Sequence, residues 1–290
     1  MAIDHQELVA LNTQEWIEAN KKDFVPPVCN KCMFDKHLKV FFIGGPNQRK
    51  DYHIEEGEEF FYQYKGDMCL KVVEGGVFKD IVIKEGEVFM LPARIFHSPQ
   101  RYENTVGFVV ERKRDANELD GLTYFVDGTD EVLFQRWFHL DDVVKDLPPV
   151  IREFFASEAH KTGKPTPDSA PSKAQWPYQP DMKRQLHTPF KLQEWIDKNQ
   201  NEIQSKGSKV LFGPPDYTTF VTVWGPGKHK IFAALGHEVF VRQVRGSSSI
   251  VVHDKTKALS DGFVARARDT CRFTVEADSY CLTIQMTPTL

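Results

Sequence analysis

Asp51-Tyr52-His53-Ile54-Glu55-Glu56-Gly57-Glu58-Glu59-Phe60-Phe61-Tyr62-Gln63-Tyr64-Lys65-Gly66 is the stretch on which the reading of this chain turns. Extended backbone sends successive side chains to opposite faces, so Arg49, Asp51 and His53 share one face. The acidic turn at 55–58 reverses the chain and brings Glu59 beside His53 on the next strand. A second stretch, Gly86-Glu87-Val88-Phe89-Met90-Leu91-Pro92-Ala93-Arg94-Ile95-Phe96-His97, makes a separate hairpin that ends, after Pro92, on His97. Two neutral imidazoles and one carboxylate leave half of an octahedron open. That donor set suits non-haem Fe(II), where two small molecules must bind side by side. Taken one at a time, each histidine reads as a structural residue, and the glutamates of 55–59 read equally well as a solvated acidic turn.

Outward from these stretches lie short runs rich in Val, Ile, Phe and Tyr, at 39–43, 60–64, 68–73, 77–83, 88–91 and 106–111. Glu56-Gly57, Glu74-Gly75 and Glu85-Gly86 punctuate them as tight turns. Many short strands at this spacing predict a mainly β sandwich or barrel with helices at the margins. Helices are expected near 6–20, with Leu8, Leu11, Trp16 and Ile17 on one side, and near 148–160. From 161 to 180 five prolines stand among Ser, Lys, Gly and Ala, which reads as an extended linker.

Beyond that segment the sequence starts again. Gln14-Glu15-Trp16-Ile17-Glu18-Ala19-Asn20 returns as Gln193-Glu194-Trp195-Ile196-Asp197-Lys198-Asn199, and Phe60, Gln63 and Gly66 return as Phe240, Gln243 and Gly246. The division expected is therefore a first domain at 1–160, the linker at 161–180, and a second domain of the same fold at 181–290. The offset from Phe60 to Phe240 sets Val239 at the place of Glu59 and Ala233 at that of His53, and His229, His237 and His253 do not restore the spacing. The second copy reads as metal-free.

Composition narrows the classes. The 290 residues carry 37 Lys plus Arg against 41 Asp plus Glu, a net charge of −4, with no basic stripe of the kind a nucleic-acid binder shows. The strongest basic run, Arg112-Lys113-Arg114, reads as a solvated loop. No run approaches the roughly 18 apolar residues of a membrane span, and Met1-Ala2-Ile3-Asp4-His5 has no signal-peptide character. Five cysteines, Cys29, Cys32, Cys69, Cys271 and Cys281, read as reduced thiols of a cytosolic protein. Cys29 and Cys32 form a Cys-x-x-Cys without a second pair to complete a metal site. They read as ordinary thiols, with a redox role as the alternative.

Taken together, His53, then Glu59 with Gly66 seven residues on, then Gly86, Pro92 and His97 resemble the paired motifs of the cupin superfamily. The departure is Glu55, where most metal-binding cupins carry a further histidine. The run from Gly44 to Glu59, followed by Leu91-Pro92-Ala93-Arg94 and His97-Ser98-Pro99-Gln100-Arg101, resembles the 3-hydroxyanthranilate 3,4-dioxygenase family of the animal, single-chain, two-cupin type.

That resemblance implies two double-stranded β-helix (jelly-roll) barrels in one chain, a monomer packed as a pseudo-dimer, and one Fe(II) per chain held by His53, Glu59 and His97. It implies that Arg101 binds the substrate carboxylate, that Arg49 lies at the dioxygen position and takes part in catalysis, and that Glu111 contacts substrate and accepts a proton. Glu59 also borders the substrate, and Val28 and Asn30 lie near its ring. Without the resemblance, Glu111 is an exposed acid beside Arg112 and Arg114, and either arginine is a surface residue. The activity implied is extradiol opening of 3-hydroxyanthranilate by O2, in the kynurenine route from tryptophan towards quinolinate and NAD. The partners implied are those two small molecules, with no nucleic acid and no membrane. Another metal-dependent cupin dioxygenase or decarboxylase, or a non-enzymatic cupin binding protein, are the competing classes.

Overall fold

The computed structural model describes residues 7–24, 29–234 and 236–287. The first half opens with β1 (Leu8–Asn12) and α1 (Thr13–Asn20), then runs through β2 (Asn30–Asp35), β3 (Leu38–Gly44), β4 (Tyr52–Ile54), β5 (Glu59–Lys65), β6 (Met68–Glu74) and β7 (Val77–Ile83). It continues with β8 (Glu87–Leu91), β9 (His97–Arg101), β10 (Val106–Arg112), β11 (Asp120–Phe125) and β12 (Val132–Phe138), and ends in α2 (Val143–Ala156) and α3 (Glu158–Thr162). The second half comprises β13 (Phe190–Lys191), α4 (Leu192–Lys206), β14 (Ser208–Phe212), β15 (Phe220–Trp224), β16 (Gly227–Ile231) and β17 (Glu238–Arg245). It closes with β18 (Ser247–Val252), β19 (Lys255–Ser260), β20 (Phe263–Arg268), β21 (Cys271–Val275) and β22 (Tyr280–Gln285).

Each half is a pair of antiparallel sheets, the double-stranded β-helix of a cupin. The order β13-β8-β5-β10-β3-β2 in the first half is matched by β1-β20-β17-β22-β15-β14 in the second, and β4-β9-β6-β7 by β16-β21-β18-β19. The repeat extends to single hydrogen bonds. Asn20 and Asn199 each donate through Nδ2 to the carbonyl of the tryptophan four residues earlier, at 2.7 Å in both helices. Gln63 and Gln243 each donate to the carbonyl two residues ahead, at 3.1 and 2.9 Å.

The matching also shows that the halves exchange their first strands. β1 pairs with β20 of the second half, and β13 pairs with β8 of the first. The expected helix over 6–20 is corrected accordingly. Residues Leu8–Asn12 form an edge strand, and the helix starts only at Thr13, where Asn12 caps it by accepting the Glu15 amide at 3.0 Å. The second expected helix starts earlier than 148 and is broken. Asp142 caps α2, and Ser157 leaves helical geometry and caps α3.

The largest apolar cluster lies between the halves, with Phe34, Phe42, Phe60 and Phe108 of the first packed against Val221, Phe240, Leu282 and Ile284 of the second. The first barrel's interior is lined by Phe61, Leu70, Val72, Phe89, Leu91 and Val109. The proline-rich segment packs onto that barrel rather than hanging free. Trp176 and Tyr178 are buried with Ile54 and Phe96, and the Tyr178 hydroxyl lies 3.1 Å from the carbonyls of Ile54 and Leu119. No helix among the described residues is long and apolar enough to cross a membrane.

Candidate metal centre

The short strand β4 lies between β11 and β9, and its one register partner on β9 is His53 opposite His97, the first residue of β9. Glu59 opens β5 in the facing sheet. The three side chains meet inside the first barrel, all buried, with one donor atom from each within 4.8 Å of the others. His53 Nδ1 lies 3.3 Å from His97 Nε2, and His97 Nε2 lies 2.9 Å from Glu59 Oε1, which has no hydrogen bond of its own.

The outer nitrogens decide what the inner ones do. His53 Nε2 is 2.6 Å from Asp120 Oδ2, and His97 Nδ1 is 3.0 Å from the Ile95 carbonyl. Each ring therefore donates its N–H outward and turns a lone pair inward, the arrangement in which ligating histidines are held. Two lone pairs and a carboxylate oxygen converging in a buried space repel one another unless a cation sits between them. Bonds of about 2.1 Å in an octahedron place neighbouring donors roughly 3 Å apart, so the spacing fits a metal.

The surrounding charges favour ionised Glu59 and Asp120, and burial a neutral His53, whereas His97 is drawn towards the charge of Glu59. Burial alone would raise the Glu59 carboxyl, but His97, His53 and Arg114 hold it at about 2. Burial would also raise Asp120, and Arg114 and His53 bring it below the ordinary range. The His53 ring is lowered, chiefly by burial, which keeps it neutral. Burial would lower His97 too, but the charge of Glu59 raises it.

Arg101, at the far end of β9 and on the same face as His97, is 1% exposed. Its Nη1 reaches Gln63 Oε1 at 3.4 Å, while Nε and Nη2 have no partner. Gly107 is what lets the guanidinium lie there, since a Cβ at that position would stand 2.8 Å from Nη1. Burial lowers the Arg101 cation to about 10. A buried cation with two free N–H donors is a receptor without its anion. Arg49 is already paired with Asp51, at 3.0 Å from Nε to Oδ2, and its backbone is bracketed by Gln100. Burial works against its charge, but Asp51, with a smaller contribution from Glu59, raises it above the usual value.

Two of the sequence's bland alternatives are corrected here. Glu55, Glu58 and Glu59 are buried, so the acidic turn is not a solvated one. Arg112 and Arg114 are buried too, and Glu111 with them. Arg112 pairs with Glu118, and Arg114 gathers Glu111, Glu55 at 2.9 Å and Asp120 at 2.9 Å. Burial raises the carboxyls of Glu55 and Glu111. Glu111 lies within 4.8 Å of both Glu55 and Glu59, which puts it at the edge of the triad.

The family model of 3-hydroxyanthranilic acid dioxygenase matches residues 6–155. The chain belongs to that family. Proteins named 3-hydroxyanthranilate 3,4-dioxygenase are similar along most of the chain. The one from Xenopus laevis is 48% identical over 88% of this chain and 88% of its own, and that from Caenorhabditis elegans is 44% identical over 87% and 94%. The Homo sapiens protein is 46% identical over 86% of each. Among solved structures, salicylate 1,2-dioxygenase from Pseudaminobacter salicylatoxidans superposes with a TM-score of 0.58 at 10% identity, covering 98% of this chain and 86% of that one, a likeness of fold.

Two residues of the site escaped the sequence reading, Asp120, which holds His53, and Arg114, which holds Glu111, Glu55 and Asp120. They lie outside both cupin motifs, and a lone acid at the start of a strand carries no pattern. Asn30 opens β2, and Val28 lies outside the described residues. The two thiols of the Cys-x-x-Cys face separate carbonyls, Cys29 that of Pro46 at 3.4 Å and Cys32 that of Phe34 at 3.0 Å. Burial raises both.

In the second barrel the ladder equivalent to His53↔His97 ends on Ile231↔Cys271, so Ile231, rather than Ala233, takes the place of His53. With Val239 these residues form an apolar core.

Proposed function

We propose that this protein opens the ring of 3-hydroxyanthranilate with O2 to give 2-amino-3-carboxymuconate semialdehyde, using one Fe(II) held by His53, Glu59 and His97. The observation that carries the reading is Arg101. A buried guanidinium with two unpartnered N–H groups shares a barrel interior with a two-histidine, one-carboxylate set. The two together call for a small molecule with a carboxylate at one end and metal-binding substituents at the other.

Ferrous iron supplies the redox chemistry that joins dioxygen to the ring. Arg101 takes the substrate carboxylate through two charge-assisted hydrogen bonds and so fixes the ring's position. Glu111, its carboxyl raised by burial, is the proton acceptor for the substrate's hydroxyl or amino group, and Arg114 holds it in place. Arg49, held by Asp51 and close enough to His97 and Glu59 to act on their charges, is the residue beside which we place dioxygen. Phe61 and Val109 line the same interior and keep water out. This is a step of the kynurenine route towards quinolinate and NAD. The five free cysteines accord with the cytosol. The shared apolar cluster and exchanged strands support a monomer in which a metal-free second cupin takes the part of a dimer partner.

The test is anaerobic loading of the purified chain with Fe(II), then oxygen-electrode turnover with 3-hydroxyanthranilate against catechol and 3-hydroxykynurenine. Oxygen uptake confined to 3-hydroxyanthranilate, with one iron per chain, is expected. A loaded chain that ignores it overturns the reading.

A further inference from the structure

Each acidic side chain of the turn that delivers Glu59 has its own partner. Glu55 is held by Arg114, and Glu56 by Arg94 at 2.8 Å. Both partners come from the first half. Glu58 differs. The residue is 8% exposed, and its carboxylate reaches across to the second half, where Oε1 accepts the Thr218 amide at 3.0 Å. Oε2 accepts the Thr219 amide at 2.8 Å and the Thr218 hydroxyl at 3.1 Å. Three hydrogen bonds from two consecutive residues fix a carboxylate in position and direction, and each is charge-assisted. The next residue in the chain is Glu59. Because side chains alternate along a strand, anchoring Glu58 outward sets the peptide that aims Glu59 inward.

We propose that Glu58, clamped by Thr218 and Thr219, is a positioning residue through which the metal-free half fixes the carboxylate ligand of the first. The proposal rests on the reading of His53, Glu59 and His97 as the metal set. The physical case is one of reach. Glu59 belongs to the facing sheet while both histidines lie on β4 and β9, so the triad closes only if the start of β5 is held at the right height and angle. His53 and His97 have outer hydrogen bonds of their own to steady them. Glu59 is the first residue of β5, so the direction of its side chain is set by how the start of that strand is held. Glu58 is where that backbone is tied down. Groups that orient a ligand typically change metal affinity by about 10- to 100-fold when removed.

The experiment uses the full chain, stripped of metal and titrated anaerobically with Co(II) as an optical probe and with Fe(II) against a competing chelator. Glu58→Ala is expected to weaken metal binding roughly 10- to 100-fold and to change the Co(II) ligand-field bands. Glu58→Gln keeps one acceptor oxygen for the Thr219 or Thr218 amide and is expected to recover most of the affinity. Glu56→Ala, which cuts the Arg94 pair in the same turn, is the control for loosening of the turn in general, and its bands should match the parent. Metal affinity and Co(II) bands of Glu58→Ala that match the parent would overturn the proposal, as would equal effects in Glu56→Ala. If Glu58→Ala does not fold, Thr218→Val, which removes one of the three bonds, decides by the same readout. A loss of affinity beyond the error of the titration supports the clamp, and parental affinity refutes it. His53→Ala run alongside separates the two readings. If it binds metal as the parent does, the triad itself is wrong, whereas failure of the clamp alone leaves His53→Ala metal-free.

Discussion

Replacing Arg101 by Met should push binding and stability in opposite directions. The guanidinium is 1% exposed and has one long contact, to Gln63 at 3.4 Å, with no carboxylate against it. Burial takes its cation from the ordinary arginine value down to about 10. A base whose folded value is lowered destabilises the fold wherever it stays protonated, that is below about pH 10, and the penalty is relieved only as pH climbs from there towards the ordinary arginine value. At neutral pH this amounts to about 3 kcal/mol. Methionine fills most of the same volume without a charge, so the substrate-free Arg101→Met chain should be more stable by up to that amount, or about 5 °C in Tm for a chain of this size. Substrate binding moves the other way. Removing one partner of a buried charge pair forfeits about 2–5 kcal/mol, or roughly 30-fold to a few thousand-fold in affinity. Anaerobic titration of the iron-loaded variant with 3-hydroxyanthranilate, paired with thermal melts of both chains and an iron analysis, reads all three quantities. A variant that binds substrate as the parent does, or that loses iron, refutes the role of Arg101. One that binds weakly but also melts lower refutes the reasoning from its unpaired charge.

His53→Ala and Glu59→Ala should each abolish bound iron and turnover together at unchanged circular dichroism, and retained oxygen uptake in either would dismiss the triad. Asp120→Asn leaves one acceptor oxygen where both His53 Nε2 and Arg114 need one, so metal affinity should fall about 10- to 100-fold, measured by chelator competition. The third concerns acid stability and lies away from the metal. His37 stacks on His237 at 4.2 Å, accepts the Glu238 amide through Nδ1, and is lowered to about 4 by burial, by His237 and by Arg112. The fold favours the neutral ring, so the unfolded chain takes up a proton first as pH drops below 6.5. The stabilisation should be complete above that pH and lost progressively down to about 4. Urea titrations across this window should show a shallower pH slope for His37→Gln, and an unchanged slope would show that His37 is not the group.

What the sequence made legible follows from how local each signal is. His53, Glu59 and His97 were reached because each motif is local, a strand, a Gly- or Pro-marked turn and the next strand; what the expected hairpins missed is that each turn crosses from one sheet to the facing one. Arg101 was reached through the family resemblance, and the strand His97–Arg101 then sets it on the same face as His97. The burial of Glu111 was not legible, because its partner Arg114 lies after the strand ends, and a basic run read in isolation looks like surface. Burial of Arg112 and Arg114 is settled by carboxylates that arrive from other elements, at Glu55, Glu118 and Asp120. The same holds for β1. Leu8, Leu11, Trp16 and Ile17 do fall on a helical face, but Leu8–Asn12 finds an open sheet edge at β20, more than 250 residues away in sequence, and tertiary pairing overrides the local period. The two-residue shift that puts Ile231 opposite Cys271 is invisible to a constant offset, since it lies in the loop before β17.

Strand β5 is where the two halves and the chemistry meet, and its alternation explains how one strand serves both. Glu58, just before it, and Phe60 and Tyr62 within it face the second half, the first through Thr218 and Thr219 and the others through the shared aromatic cluster. Glu59, Phe61 and Gln63 face the barrel interior as member of the buried triad, wall and Arg101 contact. Phe60 and Phe108 are buried against Phe240 and Phe212, and each fully buried phenylalanine contributes about 1.5–3 kcal/mol. A chain ended at residue 160 would expose that face, unpair the outer edge of β8 where β13 now lies, and release Glu58. On the proposed roles, the site then loses the support of its carboxylate although every other residue of the triad is still present. The second barrel carries an apolar core in place of the triad, and the proposal makes it necessary to the first because the strand that carries Glu59 is also the strand that carries the interface.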